Sequence, residues 1–129
     1  VSKFLTELDV EQLDDISNSG RGLWRLTSPL VYQSDLTGDI YVVPIGTTTD
    51  FASVPRVPIA FLLCGDTASK PAALHDFLYT AGPDGKHPVP DRATADALLK
   101  EAATVEGVPA WRVALIYAGV RMFGGSHWD

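Results

Sequence analysis

The hydrophobic period of this chain changes once, near its middle, and that change limits the folds open to it. In the first half Trp24, Leu26, Leu30 and Tyr32 share one parity while Arg25 and Thr27 take the other, which predicts a half-buried strand bending near Pro29. Asp35-Leu36-Thr37-Gly38-Asp39 is turn chemistry, and Ile40-Tyr41-Val42-Val43 is a short β-branched run, so the two segments read as a hairpin. A third strand is read from Lys3 to Val10, and a loop from Asp14 to Gly22.

Helical punctuation then takes over. Ser69 suits a cap, Pro71 falls in a first turn where its missing N–H costs nothing, and Gly82-Pro83 ends the segment after Tyr79. Asp91 suits the cap of a second helix running to Gly107, with Ala95, Leu98, Leu99 and Ala102 as its apolar stripe. Pro109 opens a third. From Trp111 to Phe123 that helix is apolar on nearly every face, broken by Arg112 and Arg121, and is expected to be the buried central element.

Strands followed by helices, rather than alternating with them, predict an α+β fold: a small antiparallel sheet from the N-terminal half packed beside a three-helix C-terminal bundle. The length of 129 residues fits a single domain over 1–129, with strands in 1–46, an ordered loop in 47–68 and helices in 69–124. The loop is read as ordered because Phe51, Val54 and Ile59 would be costly to leave in water.

Composition narrows the partners. Apolar residues at 46% and charged residues at 20% are a folded chain's balance, and a net charge of −6 has the wrong sign for neutralising phosphates, so nucleic acid is excluded as a partner. The single Cys64 rules out an intrachain disulfide and a zinc site built on several cysteines. Val1-Ser2 is what methionine trimming before a small residue leaves, and no signal peptide follows it, so cytosolic synthesis is expected. The apolar runs Val57 to Cys64 and Val113 to Val120 are far shorter than the ~20 residues of a membrane-spanning helix.

The candidate chemistry centres on His75-Asp76 in the first helix and Asp96 in the second. Neighbouring helical residues diverge by about 100°, so His75 and Asp76 must serve different tasks. Asp96 can hold the His75 imidazole in one tautomer, which prepares its other nitrogen to accept a proton from water. Asp76, with loop carbonyls or Asp50, offers hard oxygen ligands for calcium. Arg92, Asp96 and Lys100 are also spaced as an ordinary solvated ion-pair row, and a lone helical histidine more often satisfies its neighbours than catalyses. Tyr79, one turn after His75, fits either the core or a hydroxyl reaching Asp96.

Thr49-Asp50-Phe51-Ala52-Ser53 fits a structural turn or a ligand-binding segment. A Ser53, His75, Asp96 triad is disfavoured because no G-x-S-x-G elbow presents Ser53. His87 and His127 lack metal-ligand spacing with His75, and the closing Gly124-Gly125-Ser126-His127-Trp128-Asp129 reads as a docking tail for a partner or a frayed end.

Thr49-Asp50-Phe51-Ala52-Ser53-Val54-Pro55, Ala73-Leu74-His75-Asp76-Phe77-Leu78-Tyr79, Asp91 with Ala95-Asp96, and Tyr117 through Val120-Arg121 to Phe123-Gly124 resemble the successive signatures of a domain-of-unknown-function family encoded mainly by tailed phages and prophages. This resemblance implies a phage or prophage origin, location in the virion or the host cytoplasm, and other phage structural proteins as partners.

The pattern His75-Asp76-Phe77-Leu78-Tyr79 followed by Ala95-Asp96 is also similar, over about residues 71 to 100, to the catalytic helix pair of phospholipase A(2) enzymes. That likeness implies His75 as general base, Asp76 as calcium ligand, Asp96 orienting His75, Tyr79 as hydrogen-bonding support, and bacterial envelope lipid as substrate. The chain departs from it upstream, where Gly46-Thr47-Thr48-Thr49-Asp50 replaces a glycine-rich calcium loop. Two functions follow as expectations: a virion- or tail-associated protein with a hydrolase-like site, or a purely structural module in which His75, Asp76 and Asp96 form a buried polar network.

Overall fold

A computed structural model describes residues 2–14, 23–49, 69–82, 84–123, 125 and 128. Among the described residues six strands precede three helices: β1 (Lys3–Phe4), β2 (Val10–Asp14), β3 (Leu23–Leu26), β4 (Leu30–Gln33), β5 (Ile40–Val43), β6 (Thr48–Thr49), α1 (Ser69–Tyr79), α2 (Arg92–Val105) and α3 (Ala110–Phe123). The fold is α+β, as the change of period predicts.

The strands form two antiparallel three-stranded sheets, ordered β1-β4-β5 and β2-β3-β6. Their registers show that these are the two halves of one bent meander. Lys3 faces Gln33 in one half and Val10 faces Leu26 in the other, and the paired numbers add to 36 in both. Likewise Leu30 faces Val43 and Trp24 faces Thr49, adding to 73 in both. Three long strands therefore bend together where Pro29, which has no N–H to donate, interrupts the ladder. The bend is pinned by Thr27 N–H donating to Asp9 O at 2.9 Å, the Ser28 hydroxyl to Asp9 Oδ2 at 2.8 Å, and the Thr6 hydroxyl to Pro29 O at 3.1 Å.

Two readings of the strands are corrected. The first strand breaks after Phe4 and resumes at Val10, running on to Asp14, and the loop read from Asp14 to Gly22 lies, past Asp14, outside the described residues. Thr48–Thr49, placed in the central loop by its small polar composition, is a strand because it continues the register of β5 along β3. The rest of that loop, with Asp50, Ser53 and Cys64, lies outside the described residues.

Between β4 and β5, Gly38 takes φ 74°, a left-handed turn position open to glycine at little cost. The Glu101 carboxylate of α2 grips this hairpin, accepting from the Tyr32 hydroxyl at 2.6 Å, the Ser34 hydroxyl at 2.7 Å and Leu36 N–H at 3.0 Å.

Helix α1 already includes Ser69, with Pro71 in its first turn. Asp91 caps α2 by accepting from Thr94 N–H at 2.7 Å, as its sequence position predicts. The far end closes through Gly107, at φ 89°, and Val108 N–H bonds back to Ala103 O at 3.0 Å, which is a Schellman closure.

The central helix is α2, not α3. Ala95, Leu98 and Ala102 join Leu74 and Leu78 of α1 and the inward strand residues Leu30, Tyr32, Tyr41 and Val43 in one core cluster. Leu99 and Ala103 join Val113, Ile116 and Val120 of α3 in a second. Alanines on both faces of α2 let neighbours approach from two sides, whereas α3 buries one face and leaves Trp111 and Met122 in solvent.

Candidate functional site

Residues four apart on a helix share a face, so α1 turns His75 and Tyr79 toward the same neighbour. That neighbour is Asp96 on α2. His75 Nε2 lies 2.7 Å from Asp96 Oδ1, and the Tyr79 hydroxyl donates to the same oxygen at 2.5 Å. Arg121, reaching in from α3, donates through Nη1 to Asp96 Oδ2 at 2.8 Å. Helices α1, α2 and α3 thus meet on one carboxylate.

His75 and Asp96 are both 0% exposed, so a solvated ion-pair row does not describe Asp96. Arg92 goes elsewhere: its two terminal nitrogens donate to Val120 O at 3.1 Å and Arg121 O at 3.2 Å, satisfying carbonyls near the end of α3.

Burial works against ionised Asp96, but the bonds from His75, Tyr79 and Arg121 outweigh it and hold the carboxyl below its usual range. The same environment pushes the Tyr79 phenol up, first through burial and then because its proton is held by Asp96. Arg121 is raised chiefly by its bond to Asp96. The cluster pairs a carboxylate whose ionised form is favoured with a guanidinium whose charge is likewise favoured.

A carboxylate oxygen accepts, so the ring atom facing it must donate. A neutral His75 therefore carries its proton on Nε2, and Asp96 is placed to stabilise the imidazolium of a protonated ring.

The structure brings His75, Tyr79 and Asp96 together, and of this the spacing along α1 gives only the shared face of His75 and Tyr79. Asp76 is half-buried on the adjoining face of α1, and its carbonyl accepts from the Thr80 hydroxyl at 3.0 Å. Asp50, its expected partner for calcium, lies outside the described residues. Among the described residues no group of three or more His, Cys, Asp or Glu side chains is arranged to hold a metal ion.

Sequence reasoning missed two members of the site. Arg121 stands in the sequence as a charge interrupting an apolar helix and as part of the last family signature, and spacing along one helix cannot name its partner on another. Trp128 is the other. Its indole stacks on His87 at 3.6 Å with the rings 7° apart, and meets Tyr79 edge-on at 5.3 Å. His87 is itself anchored through Nδ1, which donates to Leu78 O at 3.0 Å. The closing segment thus docks on its own chain at Trp128. His127 lies outside the described residues.

The family model described as "Protein of unknown function (DUF1353)" matches residues 24–120, a span that contains His75, Tyr79 and Asp96 and stops just short of Arg121. No curated protein and no solved structure matches the chain. With the match running from β3 almost to the end of α3, this chain belongs to the DUF1353 family of proteins of unknown function.

Proposed function

We propose that this chain is a phage-particle protein whose His75–Asp96 pair works as the general-base dyad of a small hydrolase acting on esters of the bacterial envelope. The observation that carries the hydrolytic reading is the bond between His75 Nε2 and Asp96 Oδ1, on a carboxylate kept ionised by Tyr79 and Arg121. It supports this reading because an ionised Asp96 favours the tautomer with the proton on Nε2, the form used by a histidine general base. The phage origin and the envelope substrate rest on the resemblances of the sequence motifs. Asp76 with Asp50 is the carboxylate pair proposed for calcium.

A second reading has its own support. Both His75 and Asp96 are fully buried, which suits a polar network that fixes the register of three helices in a structural module of the particle.

The deciding experiment is fatty-acid release from mixed phospholipid vesicles, with calcium and with chelator, on wild type, His75→Ala and Asp76→Asn, with folding followed by circular dichroism. Release lost in a folded His75→Ala variant supports the dyad, and loss in Asp76→Asn together with chelator sensitivity supports calcium. No release under any condition, with His75→Ala only melting earlier, overturns the enzymatic reading in favour of the network.

A further inference from the structure

Helix α3 buries Val113, Ile116 and Val120 and turns the opposite face to solvent. Trp111, Leu115 and Met122 there are 57%, 50% and 73% exposed, with exposed Ala118 among them. At about 100° per residue these four positions fall within about 60° of one another, so they form one stripe along the helix. An exposed apolar stripe of this kind on a folded chain marks a contact surface.

The surroundings of the stripe define what it fits. Arg112 and Arg121 fall on its two flanks, roughly 100° and 80° from Trp111. Between Ala110 and Phe123 there is no carboxylate, in a chain whose net charge is −6. One cation also sits with an aromatic ring of the stripe: the Arg112 guanidinium lies 5.4 Å from the Trp111 ring centre. Apolar side chains bordered by basic residues and amphipathic rings match the boundary between acyl chains and anionic headgroups.

We infer that α3 is a docking face for an anionic lipid surface, on which the helix lies in the interfacial plane with Trp111, Leu115 and Met122 entering the acyl boundary. No helix among the described residues is long and apolar enough to cross a membrane, so the contact is peripheral. Arg121 links this face to the candidate site, since the same side chain holds Asp96. Delivery of a lipid ester to the dyad rests on the proposed hydrolytic function, whereas the docking does not.

The test is flotation of the full chain with vesicles of phosphatidylglycerol and phosphatidylethanolamine, against vesicles of phosphatidylcholine alone. Binding to the anionic vesicles that weakens as salt rises, and falls at least about tenfold in a folded Trp111→Ser, Met122→Ser double variant, supports the inference. His75→Ala should bind like wild type, which separates failure of docking from failure of catalysis. Absence of flotation with anionic vesicles at low salt, or equal flotation of the double variant, overturns it. So does self-association without vesicles that the double variant abolishes, which would assign the stripe to a second copy.

Discussion

Arg121 Nη1 and His75 Nε2 bind opposite oxygens of Asp96, at 2.8 Å and 2.7 Å, so one buried carboxylate ties the last helix to the first through the second. Neither partner is close to Asp96 in sequence, and the Tyr79 hydroxyl completes the set from α1. An ionised group this deep is stable only while its donors remain.

Replacing Asp96 should therefore be the most damaging change at the site. Asp96→Ala strands three donors, two of them buried, and should cost about 3–5 kcal/mol in urea unfolding. Arg121→Met should cost less, because the Arg121 side chain is 37% exposed and water already shares its solvation. Equal losses in the two variants would contradict a carboxylate that depends chiefly on His75 and Tyr79.

Acid should expose the same dependence. Burial opposes the charge on Asp96, but its three hydrogen bonds win and lower its folded pKa below the unfolded value of about 3.9. A depressed folded pKa means that the unfolded chain binds the proton first. The stabilisation is thus present above about pH 3.9 and is lost as pH falls through the folded pKa. The stability difference between wild type and Asp96→Asn should hold steady above about pH 5 and shrink below about pH 4. Urea midpoints measured across that range check it, and a difference that grew on acidification would refute the assignment.

At the alkaline end the shifts have the opposite sense. Burial, followed by bonds to Glu101 and Asp96 respectively, raises the Tyr32 and Tyr79 phenols above their usual range. For a group with a raised folded pKa, stability is complete below the unfolded value of about 10 and declines as pH climbs toward the folded one. Tyr32→Phe and Tyr79→Phe should accordingly leave the reversible phenolate absorbance below about pH 10.5 unchanged. A fall in that amplitude in either variant would mean that its phenol ionises in the folded protein.

Much of the architecture was legible because it depends on local rules. Period two before the middle and helix stops at Gly82, Gly107 and the Asp91 cap placed sheet, helices and boundaries, and spacing alone put His75 and Tyr79 on one face. The order of the helices in space was not legible. Apolar residues all round α3 resemble a central helix, yet the centre goes to α2, because close approach on two faces is a property of its alanines taken together with both neighbours. The Asp96 to Arg121 bond was hidden for the same reason: it joins residues 25 positions apart across a packing that sequence periodicity does not specify.

Trp128 gives the sharpest check on how the closing segment sits. Its indole is in contact with His87 on one side and Tyr79 on another, and packs against the main core. Trp128→Ala should lose about 1–3 kcal/mol, since a half-buried indole gives up both apolar burial and two ring contacts. A frayed end would lose nothing. A double-mutant cycle between Trp128→Ala and His87→Ala isolates the stack, and a coupling of about 0.5–1.5 kcal/mol is expected for rings held in parallel at this separation. A coupling near zero would show that the stack does not persist in solution. Tyr79 would then be left without its indole neighbour, beside the only buried carboxylate among the described residues.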